Sequence, residues 1–190
     1  MSPAQYDAII IGAGAAGLMA ALTAGQCGRR VLLVDHADEP GKKILISGGG
    51  RCNFTNIHTA ADRYISENQH FARSALARYT PADFLELVNR HGIAWHEKTL
   101  GQLFCDHSAR QIVEMLMAEC RDGSVAFAFG EPVTAIDHAD GVFRATIDGR
   151  IYQAPSLVLA TGGLSIPKMG ATGFAFEVAR KFGIPVVQTR

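Results

Sequence analysis

The chain has 190 residues, 48% of them apolar, with Lys+Arg and Asp+Glu both at 18. That is the length of one large domain with enough apolar material for a substantial core. The balanced charge gives no reason to expect nucleic acid or an anionic membrane as a partner; the partner expected is a small-molecule substrate. Four cysteines (Cys27, Cys52, Cys105 and Cys120) lack metal-site or disulfide-framework spacing and read as reduced thiols of a cytoplasmic protein. The apolar run from Ala8 to Gly25 has no Lys or Arg before it, and glycines at 12, 14 and 17 divide it, so it is neither signal nor membrane span.

Tyr6–Ile11 is a short apolar run suited to a strand buried on both faces. Ala15–Cys27 follows with good helix formers and Gly28 placed to end the helix. Val31–Asp35 is a second buried strand. Residues 41–56 then form a glycine-rich, basic loop. Segments 71–79 and 81–91 predict two short helices, the second with Thr80 as N-cap and Pro81 at its first position. Ser108–Arg121 predicts a helix whose buried face is Ala109, Ile112, Val113, Leu116 and Cys120, opened by a capping box of Ser108 with Gln111. From Val125 the period shortens, giving three short strands with turns at Asp140-Gly141 and Asp148-Gly149. Residues 156–163, Ser-Leu-Val-Leu-Ala-Thr-Gly-Gly, read as a fully buried strand ending in a glycine turn. Residues 172–182 look helical, stopped by Gly183. The order predicts a doubly wound, Rossmann-like α/β domain with a parallel sheet and a small antiparallel β-meander insertion.

Gly12-Ala13-Gly14-Ala15-Ala16-Gly17 fits GxGxxG between a strand and a helix. Gly12 makes the tight turn, Gly14 lets a pyrophosphate approach, and Gly17 allows close helix–strand packing. The helix N-terminus offers amide donors and a favourable dipole to phosphates. Asp35, 21 positions after Gly14 at the end of the second strand, suits ribose hydroxyls and argues against a 2′-phosphate there. This fingerprint leaves NAD and FAD both open. The loop favours FAD: an NAD domain normally continues into a helix, and a helix through Gly48–Gly50 is costly.

The stretches GAGAAG, GKKILISGGGRCNFTN, GQLFCDHSARQIVEML and LATGGLSIPKMGATG together resemble the HI0933-like flavoproteins, bacterial NAD(P)/FAD-dependent oxidoreductases in the glutathione-reductase-like FAD-binding superfamily. The resemblance covers essentially the whole chain and implies FAD in an extended form. Gly12, Gly14, Ala15, Ala16 and Gly17 would face the pyrophosphate, Asp35 the adenosine ribose, and His36 the adenosine rim. Lys42 or Lys43 would lie near phosphates or ribose. Ser47, Gly48, Gly49, Gly50, Arg51, Cys52 and Asn53 would wrap the ribityl–isoalloxazine half. In related folds a strand after the meander's first turn reads adenine through its backbone, which by position is Val133. Thr161-Gly162-Gly163 matches a turn that closes over the cofactor. Family members are typically about twice as long, so residues 1–190 correspond to the N-terminal part of the FAD-binding domain, without the inserted substrate-side domain and the C-terminal return segment.

Other candidates compete with these. Cys52 is either a redox thiol or structural, with no CxxC partner. Arg51 either balances charge on a reduced flavin or anchors the loop. Cys105-Asp106-His107, and His91 with His96, lack a full metal-ligand set. The expectation is therefore an FAD-dependent oxidoreductase whose substrate the sequence does not fix; the resemblance implies amine oxidation or enone reduction, with NAD(P)H as one candidate electron donor or acceptor and no catalytic side chain assigned. The alternatives are a non-catalytic nucleotide-binding module and an NAD-only enzyme, and oligomeric state stays open.

Overall fold

The computed structural model describes residues 4–166 and 172–188. Residues 167–171 of the LATGGLSIPKMGATG stretch lie outside the described residues. Strands β1 (Ala4–Gln5) and β2 (Ala8–Ile11) take the place of the single strand expected over Tyr6–Ile11. The chain changes sheet between them: Tyr6 N–H donates to Gln153 O and Asp7 N–H to Arg30 O, each at 2.8 Å. Helix α1 (Ala15–Gln26) ends ahead of Gly28, whose φ of 75° is the left-handed turn a side chain would resist. Then comes β3 (Val31–Asp35).

The glycine-rich stretch is not loop throughout. It opens with a short helix, α2 (Lys42–Ile46), which buries Ile44 and gives way to a 3₁₀ turn over Ser47–Gly50. Gly48 and Gly49 there have φ of 57° and 68°, so the glycines stop the helix as their cost in a helix predicts. Strand β4 (Asn53–Asn56) follows, then α3 (Arg73–Arg78) and α4 (Pro81–Arg90). The expected start of α4 is present: Asp83 N–H donates to Thr80 Oγ1 at 3.3 Å and Thr80 N–H to Asp83 Oδ2 at 2.6 Å.

Strands β5 (Trp95–Glu97) and β6 (Gln102–Cys105), unexpected from the sequence like β4 and the later strand over Ala126–Phe129, lead to α5 (Arg110–Asp122). The capping box expected there does not form. Ser108 Oγ accepts from Arg110 N–H at 3.1 Å, while Gln111 Oε1 is buried with no hydrogen-bond partner. Strand β7 (Ala126–Phe129) precedes the meander β8 (Val133–Ala139), β9 (Val142–Ile147) and β10 (Arg150–Ala154). Both hairpin turns have positive φ at each central residue, 54° and 74° at Asp140-Gly141 and 46° and 73° at Asp148-Gly149, as a two-residue type I′ turn requires. Strand β11 (Ser156–Leu159) and α6 (Phe174–Lys181) follow.

These elements divide into two compact units, residues 1–43 with 116–190, and residues 44–115. The first unit holds a parallel sheet in the order β11-β2-β3-β7 and a second sheet in the order β1-β10-β9-β8. Its core joins Ile9, Ile11, Leu32 and Val34 of the parallel sheet to Ile136, Ala145, Ile147 and Ala154 of the meander and Val178 of α6. Helix α1 packs on β2 and β3 and buries Leu18, Ala21 and Leu22. Strand β11 departs from the fully buried expectation. It pairs with β2 alone among the described residues and stands at the sheet edge, with Ser156 and Val158 exposed.

The second unit holds the antiparallel sheet β4-β6-β5. Helix α4 packs against β4, burying Leu87 and Val88 and setting Phe84 beside Phe54 at 6.1 Å between ring centroids.

Candidate functional site

In the first unit the three fingerprint glycines do different work. A Cβ on Gly12, whose φ is +108°, would fall 2.5 Å from Ala160 O and 2.8 Å from Thr161 N. One on Gly17 would fall 1.7 Å from Gly12 O, so neither position has room for a side chain. Gly14 is the reverse case: its Cβ would meet nothing within 4 Å. It is the N-cap of α1, with no side-chain cap and no acid in the first turn, and Ala15 and Ala16 beside it are exposed. An uncapped helix start facing open space is suited to an anion.

Asp35 sits where the spacing puts it, and the structure gives it a job the sequence did not show. Its Oδ2 accepts from Ala13 N–H at 2.6 Å and its Oδ1 from Ala37 N–H at 2.9 Å, with His36 Nδ1 at 3.4 Å. The carboxylate braces the glycine turn from within. Each oxygen keeps a second lone pair, so acceptor capacity for a ribose hydroxyl survives. Gly130 N–H donates to Ala37 O at 3.0 Å and Glu131 N–H to Asp35 O at 3.2 Å, which ties the approach to β8 onto the end of β3. Val133 opens β8, paired with Ile147. It therefore stands before the meander's first turn, not after it as its adenine-reading role assumed.

The Thr161-Gly162-Gly163 turn abuts Gly12 through Ala160 and Thr161. Thr161 Oγ1 is buried with no hydrogen-bond partner among the described residues. A buried hydroxyl left unpaired is costly. Gly162 has φ of 75°, and its missing Cβ position lies 3.6 Å from Lys43 Nζ. Lys43 Nζ also donates to Ser165 Oγ at 3.2 Å, whereas Lys42 is exposed. Of the two lysines the geometry brings Lys43, and not Lys42, to this turn. The open face at Gly14, the uncapped α1 start and the orphaned Thr161 hydroxyl fit a dinucleotide pyrophosphate.

In the second unit, Ser47 Oγ donates to Ile44 O at 2.7 Å, Cys52 N–H to Ser47 O at 3.0 Å, and Ala109 N–H to Gly50 O at 2.7 Å. A Cβ on Gly48 would fall 2.6 Å from Phe104 Cε1, while one on Gly49 would meet open space. Cys52 carries the unusual φ of 50° for a residue with a side chain, and its thiol is buried. Burial raises the Cys52 thiol, an effect partly offset by its hydrogen bond with Ser47. Burial, with Cys52 and Asp106 adding to it, pushes Cys105 up to about 11. Both shifts disfavour the thiolate that a redox or nucleophilic role would need. Arg51 and Asn53 are exposed. Among the described residues no group of three His, Cys, Asp or Glu could hold a metal ion, and no helix is long and apolar enough to cross a membrane.

Residues 6–189 match the family model described as HI0933-like protein Rossmann domain. A ribosomal RNA dihydrouridine synthase of Escherichia coli (strain K12) is 54% identical over 98% of this chain and 46% of its own length. One of Haemophilus influenzae is 46% identical over 98% of this chain and 48% of its own length. A 3-dehydro-bile acid delta(4,6)-reductase of Clostridium scindens is 32% identical over 92% of this chain and 43% of its own length. The chain thus spans about half the length of the curated relatives it matches. Among solved structures, the open conformation of a flavocytochrome c3 fumarate reductase matches with a TM-score of 0.63 at 19% identity, over 95% of this chain and 41% of that one. That likeness establishes the fold, the Rossmann-like FAD-binding fold. The ribosomal RNA in two of these names overturns the expectation of no nucleic-acid partner. Whole-chain charge balance is silent about local surfaces, and so was a poor ground for that exclusion.

Proposed function

The chain belongs to the HI0933-like family, and on that premise we propose that this protein is a flavin-dependent reductase that converts a uridine of ribosomal RNA to dihydrouridine. Near-complete coverage of the chain by relatives of that name carries the substrate side of the reading. The nucleotide cradle at Gly14 and Thr161 supports the cofactor side. The activities in all three relatives' names reduce carbon–carbon double bonds, which favours conjugated-alkene reduction over amine oxidation.

We assign the residues that would hold FAD as follows. Ala15 and Ala16 N–H groups at the start of α1 bind the pyrophosphate, and Gly14 lets it approach. Asp35 keeps the turn in shape through Ala13 and accepts from the ribose, with His36 at the adenosine rim. Thr161 gives its unpaired hydroxyl to the cofactor, beside Gly162, Gly163 and Lys43. Ser47–Asn53 takes the flavin half, where backbone amides and Arg51 would offset negative charge. Bound FAD would supply the two-electron chemistry, and NAD(P)H is the proposed electron donor.

The test begins with the full-length protein: its visible spectrum, and the cofactor released on denaturation. Ribosomal RNA from a strain lacking the gene is then digested, and its nucleosides are compared by mass with those of the parent. The expected results are a yellow protein that releases FAD, and loss of one dihydrouridine that returns on complementation. A colourless protein that ignores added FAD would sink the cofactor assignment. An unchanged nucleoside profile would sink the substrate and leave a nucleotide-binding module or another reductase.

A further inference from the structure

The sheet of the second unit carries a histidine that none of these roles uses. His96 on β5 is the register partner of Phe104 on β6, and Phe104 is in turn the register partner of Asn53 on β4. Directly opposed residues project from the same face of a sheet, so Asn53, Phe104 and His96 form one row. The His96 ring stacks on Phe104, with centroids 6.2 Å apart and planes 17° from parallel. The same phenyl ring fills the space that a side chain at Gly48 would need, with Cε1 2.6 Å from the missing Cβ position. One aromatic ring thus links the imidazole to the glycine stretch assigned above to the flavin half.

His96 Nδ1 lies 2.7 Å from Asp106 Oδ1. A carboxylate can only accept, so Nδ1 carries a proton and donates it, which leaves Nε2 as the working edge of the ring. Asp106 is itself placed by its N–H, which donates to Ala94 O at 2.9 Å. The His96 and Asp106 side chains are 43% and 37% exposed, open enough for a substrate and for exchange of protons with water. An ion pair this exposed adds little to stability, so holding a ring this closely calls for another reason.

We propose that His96 is the general acid of the reduction and Asp106 its positioning residue. This rests on the uridine-reductase reading above. Saturation of the uracil C5=C6 bond adds a hydride, with its electron pair, to C6, and a proton to C5. A bound, reduced flavin would supply that hydride. The proton passes from Nε2 of His96 to C5 as the π bond breaks, and the imidazole regains a proton from water.

The test uses full-length, flavin-loaded protein and ribosomal RNA from the strain lacking the gene. His96→Gln should leave the flavin spectrum, RNA affinity and flavin reduction by a nicotinamide donor unchanged. Reoxidation of the reduced protein by RNA should slow about 100-fold or more, the scale of general acid catalysis, and added imidazole should restore part of it. Asp106→Asn should lower kcat with KM unchanged, and should alter the ¹⁵N shift of His96 Nδ1. RNA-driven reoxidation of His96→Gln within about threefold of wild type would overturn the proposal, being far below what a general acid contributes. So would loss of flavin or RNA affinity in both His96→Gln and His96→Asn, which would make the pair structural. If the wild-type protein itself fails to reduce uridine in this RNA, the underlying reading falls and takes the proposal with it. If only the His96 variants match a working wild type, the reading stands and the dyad alone fails.

Discussion

Gly17 has no tolerance for a side chain, because the added carbon would lie 1.7 Å from a backbone oxygen of its own motif. Backbone cannot swing aside as the end of a flexible side chain can, so Gly17→Ala must shift helix α1 off β2. Gly14→Ala adds a methyl group to open space at φ −81°, a conformation any residue adopts. Thr161→Val keeps the shape of the side chain and removes a buried hydroxyl that has no partner. One set of measurements separates these three roles: thermal unfolding without cofactor, and FAD affinity. Gly17→Ala should lower the melting temperature sharply. Gly14→Ala and Thr161→Val should melt at or slightly above wild type yet bind FAD about tenfold more weakly, the equivalent of one charge-assisted or buried hydrogen bond. If Thr161→Val binds FAD as wild type does, the orphaned hydroxyl is not a cofactor contact.

Elements whose signals are local were legible, and those assembled by distant pairing were not. The start of α4 needs only Thr80, Pro81 and Asp83, and the meander turns need only two Asp-Gly pairs, so both stand as expected. Gly12 to Gly17 and Asp35 were legible for the same reason, since strand, turn, helix and acid follow one another in order. Strands β5 and β6 are three and four residues long and exist through pairing across the turn at Thr99–Gly101 and with β4. No alternation announces them, and Leu100 takes φ of 61° without a glycine to mark it. The His96–Asp106 contact depends on that register, so the residues were visible while their meeting was not. Thr80 and Asp83 also make a test at this scale. The Asp83 carboxyl is held below the usual range first by the Thr80 hydroxyl and then by the Thr80 N–H. A carboxylate lowered in the folded state stabilises it above the ordinary carboxylate range, and that contribution is lost as pH falls through the lowered value. Thr80→Ala should therefore lower stability at neutral pH, as loss of an N-cap does. In urea titrations the gap to wild type should narrow in acid; a gap independent of pH would show that Asp83 does not share in the cap.

At the scale of the whole chain, two features act together: a formal net charge of +0 and a parallel sheet whose β11 edge is unpaired among the described residues. Net charge near zero removes the repulsion that keeps molecules apart, and an open edge offers a row of backbone donors and acceptors to another copy. Leu157 and Leu159 of β11 face the core, while Val158 between them is 36% exposed and belongs to neither the core nor the cradle. Lysine at such a position is the usual guard of an edge strand, since pairing would bury its charge. The 190-residue chain is therefore expected to associate reversibly as concentration rises, most strongly near neutral pH, where opposite charges balance. Val158→Lys should suppress this with little change in melting temperature, because Leu157 and Leu159 keep their contacts. Light scattering over a concentration series at several pH values decides the matter. A wild-type chain that stays monodisperse throughout would show the edge to be already protected. A lysine variant that associates as readily as wild type would place the contact elsewhere, on exposed apolar side chains such as Ile65 or Val187.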